Sequence, residues 1–357
     1  MKMERLLREA VVKGASDLHL TVGLPPVLRL DGSLMPTDDP VLTASDTDEC
    51  LKAITTDEQR CSFYHQGELD FAFSLQGVSR FRINSFRQRG FTALAIRVIP
   101  EKIPAIEQLS QAEAVQALAR KLRGLVLVTG ATGSGKTTTL AAMIDLINRE
   151  RSCHIITLED PIEYWHKHKR SIVNQREINT DTSSFTTALR AALREDPDVI
   201  LVGEMRDVQT MRIAITAAET GHLVLATLHT NDAVQTIDRI IDVFPPYQQQ
   251  QIRIQLSLTL QGIVAQQLLP CCTGGGRVAA MEVVIATPAI RNLIREGKSH
   301  QIMSVIQTSA KAGMKSMDKS LQELYQQGII SYEEALSRTT DQESFIRLFN
   351  GSGGAGG

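Results

Sequence analysis

The run Gly130-Ala131-Thr132-Gly133-Ser134-Gly135-Lys136-Thr137 constrains this chain more than any other stretch of its sequence. It fits the pattern G-x-x-x-x-G-K-[ST], and its flanks are the ones that pattern needs. Residues 125–129 (Leu-Val-Leu-Val-Thr) form a short apolar run, which predicts a buried strand. After the lysine, Leu140, Met143, Ile144 and Ile147 recur at helical spacing and predict one face of a helix. A glycine-rich turn matching by chance would have no reason to stand between the two. The glycines let the backbone close around phosphates, so that bare N–H groups at a helix N-terminus face the anion. Lys136 is then expected to reach the β- and γ-phosphates, and the Thr137 hydroxyl to ligate Mg²⁺. The expectation is a nucleoside triphosphate site made by Gly130, Ala131, Thr132, Gly133, Ser134, Gly135, Lys136, Thr137 and Thr138.

Beyond residue 112 strand and helix patterns alternate, which predicts an α/β domain with a parallel sheet. Strand candidates are 125–129, 154–159, 199–203 and 223–228, nearly continuous in apolar residues, as helices on both faces would require. Helices are expected near 137–149, 184–194 and 208–220, and another after Asn231-Asp232, ended by Pro245-Pro246. Residues 289–349 read as short helices. Ahead of this lies a smaller α+β pattern over 1–98. Residues 4–13 are amphipathic, and Ser16 to Thr21 alternate. Strands follow over 79–86 and 92–99, with Phe81 and Ile83 on one face and Arg80, Arg82 and Asn84 on the other. Arg97 lies opposite Leu94, Ile96 and Val98. On residue type alone these arginines are solvated strand positions. The chain, 357 residues long, thus divides into 1–98, a proline-punctuated linker 99–111, a domain over 112–350, and a flexible glycine-rich tail 351–357.

Parallel strands present ligands at their carboxyl ends, which singles out the acids there. Asp198-Val-Ile-Leu-Val-Gly-Glu204 ends in a carboxylate placed to polarise an attacking water. The residue before it is Gly203, where many enzymes with this loop carry a metal-holding aspartate. The carboxylate toward Mg²⁺ must then come from elsewhere or act through water, and Glu159, Asp160 and Glu163 offer three at another strand end. Three acids in five residues also suit a solvated turn. His222 and His229 bracket the strand 223–228, and a neutral histidine at a strand end can donate to a γ-phosphate oxygen.

Charge argues against a global attraction to nucleic acid, since 38 basic residues face 40 acidic ones for a net −2. The five cysteines contain no C-x-x-C, which speaks against a metal module or disulfide framework and for a reduced compartment. No stretch approaches the roughly 20 apolar residues of a membrane span, so direct insertion is not expected.

Four segments together resemble, in order, the Walker A, Asp box, Walker B and His box of the secretion ATPases that drive type IV pili and type II secretion. They are 130–137, 159–163, 198–204 and 220–231. The resemblance covers nearly the whole chain. It implies a PAS-like N-terminal domain followed by a RecA-like P-loop ATPase domain, ATP and Mg²⁺ as cofactors, and a homohexameric ring. The family also has glycine before its catalytic glutamate, so Gly203 is no departure from it. By the same resemblance Glu204, Glu163 and His229 are catalytic, with Thr137, Glu159, Asp160 and Glu163 toward the metal. Arg82 and Arg97, fifteen residues apart, and Arg239, ten beyond His229, match arginines the family brings to the phosphates.

Residues 289–298 (Ala-Ile-Arg-Asn-Leu-Ile-Arg-Glu-Gly-Lys) look like the signature of the type IV pilus retraction ATPases, which power twitching motility. Read without the resemblance, they are an amphipathic helix with Ile290, Leu293 and Ile294 packed, Arg291 and Arg295 on a charged surface, and a stop at Gly297. The resemblance implies a cytoplasmic motor held at the inner membrane by a pilus platform protein, with a paralogous retraction ATPase as a further partner. The alternatives are an accessory retraction ATPase or another secretion motor. A nucleic-acid-translocating ring and a nucleotide-gated scaffold without turnover are the readings of other classes.

Overall fold

The computed structural model describes residues 2–30, 32–99, 103–272, 276–309 and 313–339, with 342 and 345 beyond them. Residues 100–102 of the linker and the tail 351–357 lie outside the described residues. The chain forms two units, Met1–Lys102 with Glu163–Trp165, and Ile103–Ile162 with His166–Gly357.

The first unit comprises α1 (Lys2–Val12), β1 (Asp17–Leu20), β2 (Val27–Leu30), β3 (Ser33–Pro36), α2 (Ala44–Ile54), α3 (Asp57–Gln66), β4 (Glu68–Leu75), β5 (Ser79–Gln88) and β6 (Phe91–Ile99). Its sheet runs β3-β2-β1-β6-β5-β4, each pair antiparallel. Leu18, Leu20, Phe81, Ile83, Leu94 and Ile96 turn to one face and meet Leu6, Leu7, Leu51 and Phe63 from the helices. Both α2 and α3 start on capping boxes, Thr43 with Asp46 and Thr56 with Gln59. In each, a side-chain oxygen and a backbone N–H satisfy one another.

The other face of that sheet carries charge in register. Arg29, Asp17, Arg97 and Arg82 oppose one another across β2, β1, β6 and β5. Two arginines directly opposite would repel, but each has its own carboxylate. Arg97 Nε lies 3.1 Å from Asp17 Oδ1, and an Arg82 Nη lies 2.9 Å from Asp70 Oδ2.

The second unit begins with a short turn at Ile106–Gln108 and α4 (Ala112–Ala119). β7 (Gly124–Thr129), α5 (Lys136–Glu150), β8 (His154–Glu159), β9 (Ile172–Glu177), α6 (Phe185–Ala192), β10 (Val199–Val202), α7 (Val208–Glu219), β11 (Leu223–Leu228) and α8 (Ala233–Asp242) follow. After them come α9 (Pro246–Thr259), β12 (Leu260–Pro270), β13 (Arg277–Ile285), α10 (Pro288–Glu296), α11 (Ile302–Thr308), α12 (Met317–Gln326) and α13 (Tyr332–Arg338). The sheet order is β13-β12-β7-β11-β10-β8-β9, parallel throughout except for β13.

Alternate residues of the central strands feed two cores. Leu125, Leu127, Ile156, Ile200 and Val224 join one, and Val126, Val128, Ile155, Val199 and Leu225 the other. That is why their runs are apolar without alternation. Each such side chain contributes roughly 1.5–3 kcal/mol by leaving water. No described helix is long and apolar enough to cross a membrane.

Two expectations need correction. Pro245-Pro246 does more than end a helix: α8 stops at Asp242, and Pro246 opens α9 as its first residue. Proline suits that place because its missing N–H would have had no partner in the helix. The Arg291 side chain is not an open charged surface. It donates from Nε to the Ala286 carbonyl at 2.9 Å and from Nη to those of Ser257 at 2.7 Å and Leu258 at 2.8 Å. It thereby satisfies carbonyls at the C-terminal end of α9, which have no partner within the helix.

The sheet also has three strands beyond the four expected. β9 and β12 carry polar residues (Asn174, Gln175, Gln266, Gln267) that break the apolar run, and β12 follows α9 with no turn between them.

Candidate nucleotide site

β7 ends where the glycine loop begins. Gly130, Gly133 and Gly135 take φ of +144°, +77° and +89°, the region that other residues adopt only at a cost. α5 starts at Lys136 with Gly135 as its N-cap, so the loop delivers a helix N-terminus as the spacing predicted. Lys136 is buried, and its Nζ donates to the carbonyls of Gly130 at 2.8 Å and Ala131 at 2.9 Å. The Ser134 hydroxyl is buried and has no hydrogen-bond partner among the described residues. Glycine torsions, helix terminus, buried ammonium and unpartnered hydroxyl all suit a bound phosphate chain.

Parallel register brings the other strand ends alongside. Thr129 of β7 opposes Leu228 of β11, Val202 of β10 opposes Ala226, and Leu158 of β8 opposes Val202. The residues following these strands (Gly130, Gly203-Glu204 and His229), together with Glu159 at the end of β8, therefore share one edge of the sheet. Gly203 is needed for this closeness, since a Cβ there would lie 2.9 Å from the Leu158 carbonyl oxygen and 3.3 Å from Glu159 Cα.

Thr227 stitches the next residues in place. Its hydroxyl donates to the Gly203 carbonyl at 2.5 Å, and its carbonyl accepts from Met205 N–H at 3.1 Å. Glu204 is thus held beside His229, whose Nε2 lies 3.2 Å from Glu204 Oε1. Arg206 reaches Oε2 at 2.7 Å. Burial pushes the Glu204 carboxyl up, but the hydrogen bond from Arg206 and the charges of His229 and Arg206 outweigh it. They hold it below the ordinary glutamate value, so it is an ionised acceptor at neutral pH.

The acidic segment divides. Glu159 is buried, and its Oε1 accepts from Thr157 Oγ1 at 2.6 Å and Gln175 Nε2 at 3.1 Å. Asp160 is exposed, and Glu163 belongs with the first unit. Glu177 supports the turn by accepting from Ile162 N–H at 3.1 Å. Among the described residues, no three His, Cys, Asp or Glu side chains gather as a metal cluster. Mg²⁺ held through phosphates, water and one or two carboxylates needs no such cage, so Thr137 in the first turn of α5 and Glu159 fit that ion. Arg82 and Arg97 lie in the first unit on strand faces, and Arg239 is exposed in the last turn of α8.

Several residues here carried no signal in the sequence. Arg206 is one exposed arginine among many. Thr236 bonds Thr230 Oγ1 at 2.7 Å and Thr129 Oγ1 at 3.5 Å, tying the turn after His229 to β7. Glu282, buried on β13, accepts from the N–H of Ala233 at the start of α8 at 2.9 Å; burial raises its carboxyl to about 7. Gln266 on β12 bonds the phosphate loop itself.

The family of type II/IV secretion system proteins matches this chain over residues 2–337. The chain is 49% identical over 345 residues to the type IV pilus retraction ATPase PilT of Pseudomonas aeruginosa, across 97% of this chain and 100% of that protein. It is 45% identical over 348 residues to the type IV pilus ATPase PilU of the same organism, across 98% and 91%. The solved structure of the pilus retraction motor PilT with bound ADP superposes with a TM-score of 0.91 at 51% identity. That likeness covers 97% of this chain and 99% of the other. A strand–loop–helix built for phosphates, acids at the neighbouring strand ends and a likeness running through both units lead to one assignment: the chain belongs to the type II/IV secretion system protein family and is one of its RecA-like, nucleotide-binding ATPases.

Proposed function

We propose that this ATPase is a hexameric motor that drives type IV pilus retraction and, through it, twitching motility. The observation that carries the reading is the end-to-end likeness to a retraction ATPase, 97% of one chain against 100% of the other. Lys136 and the loop residues from Gly130 to Thr138 bind ATP. Thr137 holds Mg²⁺, with Glu159, Asp160 and Glu163 directly or through water. Glu204 orients the attacking water, and His229 senses the γ-phosphate. Mg²⁺ supplies charge neutralisation on the phosphates, and the protein supplies position. The ring works on the cytoplasmic side of the inner membrane, pushing on a pilus platform protein. A second reading is an accessory retraction ATPase working beside a paralogue, and the chain's likeness to a second type IV pilus ATPase, PilU, fits it as well. Twitching restored by this chain in a strain lacking every other retraction ATPase favours the main motor; restoration only alongside a paralogue favours the accessory one.

Arg82, Arg97 and Arg239 are expected to act on the transferring phosphoryl group within the assembled ring. Each change to alanine should lower turnover by ~10-fold or more, up to or beyond the ~10³-fold at which arginine-finger effects begin. The ion pairs of Arg82 with Asp70 and Arg97 with Asp17 are exposed, and such pairs stabilise by only about 0–1 kcal/mol. Folding should therefore survive. Phosphate release measured on size-selected hexamers decides it, and wild-type turnover in all three variants would remove the arginines from the chemistry.

The exposed residue Arg295 of α10 gives the test of coupling. Arg295→Ala should keep hexamers and at least roughly half the ATPase rate, since surface changes usually cost little, yet abolish twitching. Arg291→Ala is the contrast. It strips hydrogen bonds from three carbonyls and should destabilise by roughly 1–3 kcal/mol. Normal twitching in Arg295→Ala would leave α10 as an ordinary amphipathic helix.

A further inference from the structure

Gln266 stands in the middle of β12, beside the strand that feeds the phosphate loop, and is 1% exposed. Its amide is bound at both ends. Nε2 donates to the Ser134 carbonyl at 2.6 Å, and Oε1 accepts from Thr139 Oγ1 at 3.0 Å. Its backbone closes on the start of the loop, where a Cβ on Gly130 would overlap the Gln266 carbonyl oxygen. At the other end of the loop, a Cβ on Gly135 would lie 3.1 Å from Nε2. One residue therefore meets both the first and the last glycine of the loop.

The consequence lies in the peptide between Ser134 and Gly135. In a planar trans peptide the C=O and N–H point in opposite directions. Holding the Ser134 carbonyl against β12 turns the Gly135 N–H away from β12. Gly135 has φ +89°, in a region that glycine enters with little steric resistance, so side-chain bulk does not prevent this peptide from rotating. A flipped peptide would offer phosphate a carbonyl lone pair in place of a donor.

We propose that Gln266 is a positioning residue for ATP: by anchoring the Ser134 carbonyl it locks that peptide and keeps the Gly135 N–H aimed at the phosphates. This rests on the ATPase reading above and adds a residue that touches the loop without touching nucleotide. Leu268, two residues on along the same strand face, lies near Gly135 with a methyl group, which is apolar, whereas the Gln266 amide is a polar anchor.

The test compares Gln266→Met with Thr139→Val, by ATP KM and kcat from phosphate release and by melting temperature. Gln266→Met keeps the volume and removes both hydrogen bonds. Thr139→Val removes only the Thr139 bond and leaves the Ser134 anchor. Gln266→Met should raise KM by about tenfold or more, the scale of one lost hydrogen bond made worse by an opposing lone pair. Its kcat should stay within about threefold, because the anchor acts on bound ground state and transition state alike. Thr139→Val should lower the melting temperature but leave KM within roughly threefold, since its buried bond is structural.

A wild-type KM in Gln266→Met overturns the proposal. So does a KM rise that Thr139→Val reproduces, because the residue would then only hold the core together. If Gln266→Met does not fold, Gln266→Asn takes its place, keeping the amide but too short to reach Ser134, with the same two outcomes. Absence of hydrolysis in the wild-type hexamer would count against the ATPase reading alone. ADP titrated calorimetrically into the same variants then tests the anchor, with the affinity ratio in place of KM.

Discussion

Glu204→Gln is expected to bind ATP as the wild-type chain does and to hydrolyse it at least ~10²-fold more slowly, the scale for losing a positioned base. The substitution preserves size and removes only the charge. Glutamine can still accept from Arg206 at the place where Oε2 now lies 2.7 Å away, so the local geometry should persist. What it loses is an anion able to draw a proton from water as the γ-phosphoryl bond breaks. Because the wild-type carboxyl is held below the ordinary glutamate range, it is ionised at neutral pH, and no activity should be lost there through its protonation. Equilibrium binding of a fluorescent ATP analogue, paired with single-turnover hydrolysis, separates the two effects. Wild-type turnover would mean that another group orients the water, and that Glu204 serves only to hold Arg206 and His229.

Lys136→Ala should weaken ATP binding by ~10²-fold or more, the worth of one or two charge-assisted hydrogen bonds. The ammonium is buried and donates to two loop carbonyls, so its loss removes that donor from the Gly130 oxygen and leaves the Ala131 oxygen with the Ser134 N–H alone, at 3.2 Å. A small fall in melting temperature is expected for that reason. The two consequences separate on addition of ATP. The wild-type chain should gain thermal stability by mass action, and Lys136→Ala should gain almost none at the same concentration. A variant that ATP stabilises as it does the wild type would show that the backbone donors hold the phosphates unaided. Glu204→Gln should keep that stabilisation in full, so the pair distinguishes loss of binding from loss of chemistry.

What the chain declared on its own was local. The strand 125–129, the glycines and the helix after Lys136 are each written within a few residues, in torsional freedom, apolar runs and 3.6-residue spacing. They appear in the structure as β7, the loop and α5. Glu204, Glu159 and His229 were legible for the same reason, since a strand end is a local place and parallel strands align their ends. The capping boxes of α2 and α3 were equally local, though the apolar pattern alone did not call attention to those helices.

What tertiary structure decided was which polar group meets which. Gln266 reaches Ser134 across 132 positions of sequence, and Arg291 reaches the end of α9 across 34. Arg206 differs from other arginines only once β10 and β11 lie side by side and Thr227 fixes Gly203. Each of these bonds depends on the register of elements distant in the chain. In a dry interior an unpaired polar group costs about 1–3 kcal/mol, so packing that brings a partner is favoured. No spacing along the sequence says which partner will arrive, because the partner is set by packing and not by periodicity.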